Sequence, residues 1–211
     1  MLDFNLYLIT DREQTAGRQL PAVVADALKG GVKCVQLREK GLSSRQLFEL
    51  AVELRQLTSG FGAKLLINDR IDIALATEAD GVHLGISSMP VTAARRLVGT
   101  KRLIGYSAHS LDEARQAERD GADFVTFGPV YHTRSKAAFG APQGIGKLAE
   151  TVRAISIPVF ALGGVKKTSV PETLATGCAG VALISAIIGA ADPVSETHII
   201  LKSIAESSRA C

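Results

Sequence analysis

Aromatic side chains make up only 5% of this 211-residue chain and tryptophan is absent, so it lacks the stacking platforms on which single-stranded nucleic acid is held. Runs of lysine and arginine are missing too, and the net charge of +3 is mild, which leaves no electrostatic footprint for a nucleic-acid partner. Cysteine is sparse: Cys34, Cys178 and Cys211 are an odd number with no C-x-x-C spacing. That excludes a disulfide framework or a zinc site and leads us to expect a reducing, cytoplasmic setting. The longest uncharged apolar run, residues 179–191, falls short of the roughly 20 residues that a membrane span requires. With Asp3 near the start and no basic region before an apolar core, a secretory signal is not expected, nor a membrane partner.

Against these absences stand 20 glycines and a regular alternation of two kinds of segment. Short apolar runs rich in β-branched residues predict buried strands at 6–10, 32–38, 64–68, 81–84, 103–107, 124–128, 159–163 and 181–184. They are nearly continuous in hydrophobicity, as parallel strands covered on both faces should be. Helical patterns fall between them at 20–28, 44–58, 71–77, 91–98, 111–120, 146–154, 170–176 and 194–203. Ser43 and Ser110 open capping boxes, and Asp192-Pro193 places a cap before a proline whose missing N–H costs nothing there. Glycines at 30–31, 121 and 177 supply helix stops. Eight strand–helix pairs predict a closed (β/α)8 TIM barrel, an α/β fold in a single domain over 1–211 with its core at about 5–206; a doubly wound open sheet is the alternative. The polar connection 129–144 is long enough to expect a functional role for it.

In such a barrel the strand ends define the site. Gln36, Arg38 and Lys40 alternate at period two past the second strand, so they share a direction. An inward Arg–Lys pair whose only close acid is Glu39 calls for an anion, and a phosphorylated ligand suits the fork of one and the point charge of the other. Asn68 and Asp69 follow strand three, His83 lies in strand four, Ser107 and His109 end strand five, and Thr133, Ser135 and Lys136 sit in the sixth loop. Gly163-Gly164 before a helix, paired with Ile184-Ser185 after strand eight, predicts a second anionic subsite, since glycine lets an anion approach backbone N–H groups. Plainer readings compete. Asp69 could only cap the next helix, and His83 could be structural. His109 could orient a turn, Lys136 could be solvated, and Arg38 and Lys40 could pair with Glu39 or Asp69. Tyr131 reads as packing beneath the sixth loop, and Arg12 could line the site or form a surface ion pair.

Gln36-Leu37-Arg38-Glu39-Lys40, Ile67-Asn68-Asp69-Arg70, Asp80-Gly81-Val82-His83-Leu84-Gly85, Ser107-Ala108-His109-Ser110, Gly128-Pro129-Val130-Tyr131, Ala161-Leu162-Gly163-Gly164-Val165 and Leu183-Ile184-Ser185-Ala186 occur in an order that resembles the thiamine phosphate synthase/TenI superfamily. The resemblance implies condensation of an aminopyrimidine methyl pyrophosphate with a thiazole phosphate carboxylate, releasing pyrophosphate and carbon dioxide. It implies that Gln36, Arg38, Lys40 and Asn68 hold the pyrimidine pyrophosphate and that Asp69 ligates Mg2+. By the same resemblance Ser107 contacts the pyrimidine, Thr133 and Ser135 the thiazole, and Lys136 the pyrophosphate; Gly164, Ile184 and Ser185 bind the thiazole phosphate. Lys136, Arg38 and Ser107 are the candidate catalytic residues, the partners are small phosphorylated substrates, and a homodimer is implied. Cations should stabilise the leaving group as its charge grows. The thiazole nitrogen is the nucleophile, so no Ser-His-Asp triad is required.

The chain departs from the synthase pattern after His-Leu-Gly, where Ile86-Ser87-Ser88 stands in place of Gln-Glu-Asp and Ser88 replaces a second metal carboxylate. Asp69 could still suffice, because Mg2+ is often held by one carboxylate with substrate phosphates and waters. The superfamily's other branch, metal-free thiazole tautomerases, often loses this acidic pair, yet its general acid/base His precedes the Val after the sixth strand, where this chain has Pro129. His132 is the fallback proton carrier. A third reading is a barrel that binds a thiamine-related phosphate without turning it over.

Overall fold

Each predicted apolar run becomes a strand that divides its residues between two cores. The computed structural model describes residues 2–133 and 141–209, with side chains as far as residue 207. The strands are β1 (Leu6–Ile9), β2 (Cys34–Leu37), β3 (Lys64–Asn68), β4 (Gly81–Leu84), β5 (Leu103–Ala108), β6 (Phe124–Phe127), β7 (Val159–Leu162) and β8 (Gly180–Leu183). All pair in parallel in sequence order, and β8 closes on β1 through Leu6↔Val181 and Leu8↔Leu183. The open doubly wound sheet is thereby excluded. Helices α1 (Leu20–Lys29), α2 (Ser44–Gly60), α3 (Ile71–Ala76), α4 (Val91–Val98), α5 (Leu111–Arg119), α6 (Gly144–Ala154), α7 (Val170–Leu174), α8 (Ser185–Ile188) and α9 (Pro193–Arg209) cover the outside. None of the described helices is long and apolar enough to cross a membrane.

Side chains alternate along a strand, so one set faces the helices and the other fills the barrel. Leu6, Leu8, Val35, Leu37, Leu65, Ile67 and Val82 belong to the outer core. Tyr7, Cys34, Leu66, Phe124, Phe160 and Ala182 form the inner one, floored by Phe4. Four aromatics, Phe4, Tyr7, Phe124 and Phe160, gather here. Phe124 meets Tyr7 edge-on with ring centroids 5.5 Å apart and Phe160 at 5.5 Å, and the His83 ring lies 5.8 Å from Phe124. Gly105 makes this possible, because a Cβ there would come within 2.5 Å of both His83 Nδ1 and the Phe124 ring.

Local signals act as read at two of the three helix starts singled out. Ser43 and Gln46 complete the capping box of α2, and Asp192 accepts from the Ser195 N–H at the start of α9. Ser110 accepts from the Glu113 N–H, but the Glu113 carboxylate turns to the His109 N–H at 2.8 Å instead of closing the box. Cys34 and Cys178 are buried free thiols. Two acids do structural work at strand starts: Asp80 accepts from the Leu65 N–H and Arg55, and Asp123 from the Ile104 N–H and Arg95. Asp69 has no such duty, which sets it apart.

Candidate active site

At the carboxyl ends of the strands a cavity of about 720 Å³ opens between the loops after β5, β6, β7 and β8. Of the residues expected to bind ligand, Ser107, Thr133, Gly164, Ile184 and Ser185 line it, together with Thr126, His109 and His132. Its size suits a ligand of drug-like dimensions. One wall is the Gly163-Gly164 turn, where both glycines hold positive φ (+93° and +70°). The turn is clamped to the sixth loop, since Val130 N–H donates to Leu162 O at 2.9 Å and Tyr131 N–H to Gly163 O at 2.9 Å. Tyr131 packs against the outer core, and its hydroxyl lies 2.9 Å from that of Thr173. A Cβ at Gly164 would sit 2.7 Å from His132 O and 2.8 Å from Tyr131 Cβ. These glycines therefore serve close approach by the neighbouring loop as well as access to backbone amides. Gly164→Ala should cost about 1–3 kcal/mol from clash and strain, read as a lowered Tm, with weakened affinity for a phosphorylated ligand.

Across the mouth, β2 ends at Leu37 and the chain rises out of the barrel. Gln36 is buried inside, Arg38 is half-buried and Lys40 is exposed in the following turn. Neither Arg38 nor Lys40 forms an ion pair among the described residues, so the expected alternative of a structural network with Glu39 or Asp69 is not what the fold contains. Glu39 instead ties the first two loops together. Its carboxylate accepts from Thr10 Oγ1 at 2.7 Å and from the Arg12 N–H at 3.2 Å, while the Arg38 N–H donates to Thr10 Oγ1 at 2.9 Å. Burial pushes the Glu39 pKa up, and the bonds from Thr10 and Arg12 pull it partly back. Arg12 itself is exposed. These contacts fix the backbone that carries Arg38 and Lys40 and leave both cations for something outside the protein.

Asp69 is exposed at the end of β3 with φ +60°, a conformation uncommon for a residue with a side chain. It does not cap the next helix: Arg70 occupies that position and no side chain caps α3. Its carboxylate is held in place by the Asn68 amide, which donates at 2.8 Å, and by the Ser88 hydroxyl. Ser88 Oγ in turn accepts from the Gly85 N–H at 2.7 Å. The residue that replaces the second acid thus braces the first. A Cβ at Gly85 would lie 3.9 Å from Ser107 Cβ and 4.0 Å from Ser88 Oγ, so this acidic corner adjoins the cavity at Ser107.

Behind the cavity, His83 is buried and its pKa is driven down to about 3 by desolvation and then by the Arg38 charge. It is neutral throughout the physiological range, as a structural histidine should be, but it joins Tyr7 to Ser107 through its two nitrogens. His109 stands beside Glu113 and lines the cavity, and Pro129 precedes Val130 with a cis Gly128–Pro129 bond. Ser135 and Lys136 lie outside the described residues. Sequence reasoning passed over Tyr7, Thr126 and the clamp at Glu39. A tyrosine in an otherwise aliphatic strand needs a partner for its hydroxyl, and that was the available signal for the first.

The thiamine monophosphate synthase family profile matches residues 6–187. The chain belongs to the thiamine monophosphate synthase family. A protein of Geobacter sulfurreducens is 59% identical to this family member over 208 residues, covering 99% of this chain and 98% of its own. Thiamine-phosphate synthase of Chloroflexus aurantiacus is 45% identical, covering 91% and 88%. Among solved structures, thiamine phosphate pyrophosphorylase from Pyrococcus furiosus superposes with a TM-score of 0.89 at 38% identity, covering 96% of each chain. The barrel of that solved structure is thus matched over nearly the whole of this chain.

Proposed function

We propose that this chain is a cytoplasmic transferase that condenses an aminopyrimidine methyl pyrophosphate with a thiazole phosphate to give thiamine phosphate and pyrophosphate, with carbon dioxide also lost when the thiazole carries its carboxylate. One observation carries the reading: among the described residues Arg38, Lys40 and Asp69 form no ion pairs, and they follow β2 and β3 at the same end of the barrel as the Gly163-Gly164 turn and Ser185. Two anionic tails on two substrates account for both sides. Buried free thiols at Cys34 and Cys178 suit a reducing compartment.

In the reaction the bond from the pyrimidine methylene to pyrophosphate oxygen breaks, leaving a carbocation stabilised by the aminopyrimidine. The thiazole nitrogen then donates its electron pair to that carbon. Arg38 and Lys40 bind the leaving pyrophosphate and stabilise its growing charge; Lys136 is assigned the same role from the sequence. Gly164, Ile184 and Ser185 hold the thiazole phosphate, Thr133 borders the thiazole, a role assigned to Ser135 from the sequence alone, and Gln36, Asn68 and Ser107 orient the pyrimidine. The residues present fit a hard divalent cation: Asp69 offers an exposed, braced carboxylate, and Mg2+ accepts one carboxylate together with phosphate oxygens and water. Mg2+ held there would supply further positive charge to the pyrophosphate. Among the described residues no group of three or more His, Cys, Asp or Glu side chains is placed to hold a metal ion.

Incubation of purified protein with both substrates tests the proposal. Thiamine phosphate and pyrophosphate should appear only with Mg2+. Aromatised thiazole formed without metal or pyrimidine would move the chain to the tautomerase reading, for which Pro129 offers no proton carrier and His132 is exposed at the rim. Binding of both substrates without turnover at any Mg2+ concentration would make it a binding module. Ser88→Asp restores a second carboxylate beside Asp69 and should tighten Mg2+, measured calorimetrically with pyrophosphate present, by about tenfold, the net left from on the order of 4 kcal/mol of attraction at 4 Å after desolvation.

A further inference from the structure

We propose that Tyr7 is a positioning residue that fixes the tautomer of His83 and so makes Ser107 a hydrogen-bond donor to an acceptor atom on the aromatic substrate; the substrate's identity rests on the synthase reading above.

The inference comes from a hydrogen-bond chain that crosses the barrel interior and ends at the cavity. Gln36 Nε2 donates to the Tyr7 hydroxyl at 3.0 Å, which lies 3.2 Å from His83 Nδ1. His83 Nε2 lies 3.0 Å from Ser107 Oγ, and Ser107 Oγ is 3.3 Å from Thr126 Oγ1. Gln36, Tyr7 and His83 are 1%, 0% and 2% exposed, so the interior links find their partners within this chain alone, and Ser107 and Thr126 are the links that reach the cavity wall.

With the Gln36 amide nitrogen facing Tyr7, counting donors sets the direction. A phenol has one proton and here already accepts from Gln36, so that proton goes to His83 Nδ1. Burial raises the Tyr7 pKa well above its ordinary value, which keeps the proton on the phenol. A neutral imidazole carries one N–H, and with Nδ1 accepting it must be on Nε2, aimed at Ser107 Oγ. Ser107, having accepted, offers its own proton to Thr126 or to the ligand. The opposite chain, with His83 Nδ1–H donating to Tyr7 and Tyr7 to the Gln36 carbonyl, would make Ser107 donate to His83 and present only lone pairs to the cavity. The chain's polarity therefore decides whether the pocket recognises a ring nitrogen or an amino group, and Tyr7 sets it from a distance. The Phe124 ring and the missing side chain at Gly105 hold the imidazole in the orientation that joins both neighbours.

Nitrogen-15 NMR of the imidazole groups in the ligand-free chain reads the tautomer directly, without reference to activity. His83 should be the Nε2–H form. Tyr7→Phe removes one hydroxyl; it should erase the fixed tautomer and weaken calorimetric binding of the aminopyrimidine methyl pyrophosphate about tenfold, the worth of one hydrogen bond to a buried site. The thiazole phosphate should bind as before. A merely structural role for Tyr7 would lower Tm and leave the tautomer and this selective loss unseen. An Nδ1–H form of His83 in the unaltered chain overturns the proposal, whether or not the variant folds, and so does a Tyr7→Phe chain that keeps both tautomer and pyrimidine affinity. Failure of the synthase reading shows separately: the expected tautomer in a chain that does not bind the pyrimidine pyrophosphate would keep the hydrogen-bond chain and overturn the assigned substrate.

Discussion

Asp69→Asn should lower kcat/KM for the condensation by about 10²–10³-fold, the scale of removing one preorganised electrostatic partner, while the barrel stays folded. Asparagine tolerates the positive φ that Asp69 adopts, and its carbonyl can still accept from Ser88, so the backbone has little reason to move. Charge is what disappears. A neutral amide is a poor ligand for Mg2+, and the cations at Arg38 and Lys40 do not replace it. Raising Mg2+ should recover part of the rate, because the pyrophosphate supplies the other ligands. Steady-state kinetics across a Mg2+ series, with a thermal melt of each protein, check this. An asparagine variant with unaltered kcat/KM and metal dependence would remove Asp69 from the chemistry and return it to the role of a strained loop residue.

How far the mouth was legible in the sequence depends on what kind of fact is asked for. The barrel follows from hydrophobic runs and caps, because covering a parallel sheet on both faces leaves few other sequences of strands and helices. Strand ends at β3 and β4 and the start of α2 fall where composition changes. Helix α8 was not foreseen: four residues are too few for a helical period to show, though it carries Ser185. Helix α9 runs on past the predicted end because no glycine or proline stops it. Polar partners are less legible than elements. Beside its reading as a metal ligand Asp69 could have been a cap, Glu39 could have been a counter-ion for Arg38, and Ser88 stood where an acid was expected; register and loop path gave each of the three its own hydrogen-bond partners. Pairing of Ile9 with Gln36 and of Asn68 with His83 sets which interior side chains meet, and neither is written in local spacing. Tyr7, Gln36, His83 and Ser107 lie on four different strands, so their chain exists only after closure.

The same buried histidine gives the molecule a predictable weakness in acid. His83 has a folded pKa of about 3 against 6.5 in a solvated chain. Above pH 6.5 both states hold it neutral and its contribution to stability is complete. As pH falls below 6.5 the unfolded chain takes up a proton that the barrel refuses, and stability drains away until the folded pKa is reached. The sign is that of a depressed pKa: full stability on the alkaline side, loss on the acid side. Over the whole window the loss amounts to roughly 4–5 kcal/mol as an upper bound, a large share of a typical domain's stability. Carboxylates add their own pH dependence, so the contribution is isolated by comparing denaturant unfolding of the chain with that of His83→Gln between about pH 7.5 and 4. Glutamine can accept from Tyr7 or donate to Ser107 but has no proton to gain, so its stability should fall less steeply with acid even if it starts lower. Parallel slopes for the two proteins would mean that the imidazole is protonated inside the barrel, and with it would go the neutral His83 on which the Tyr7-to-Ser107 relay depends.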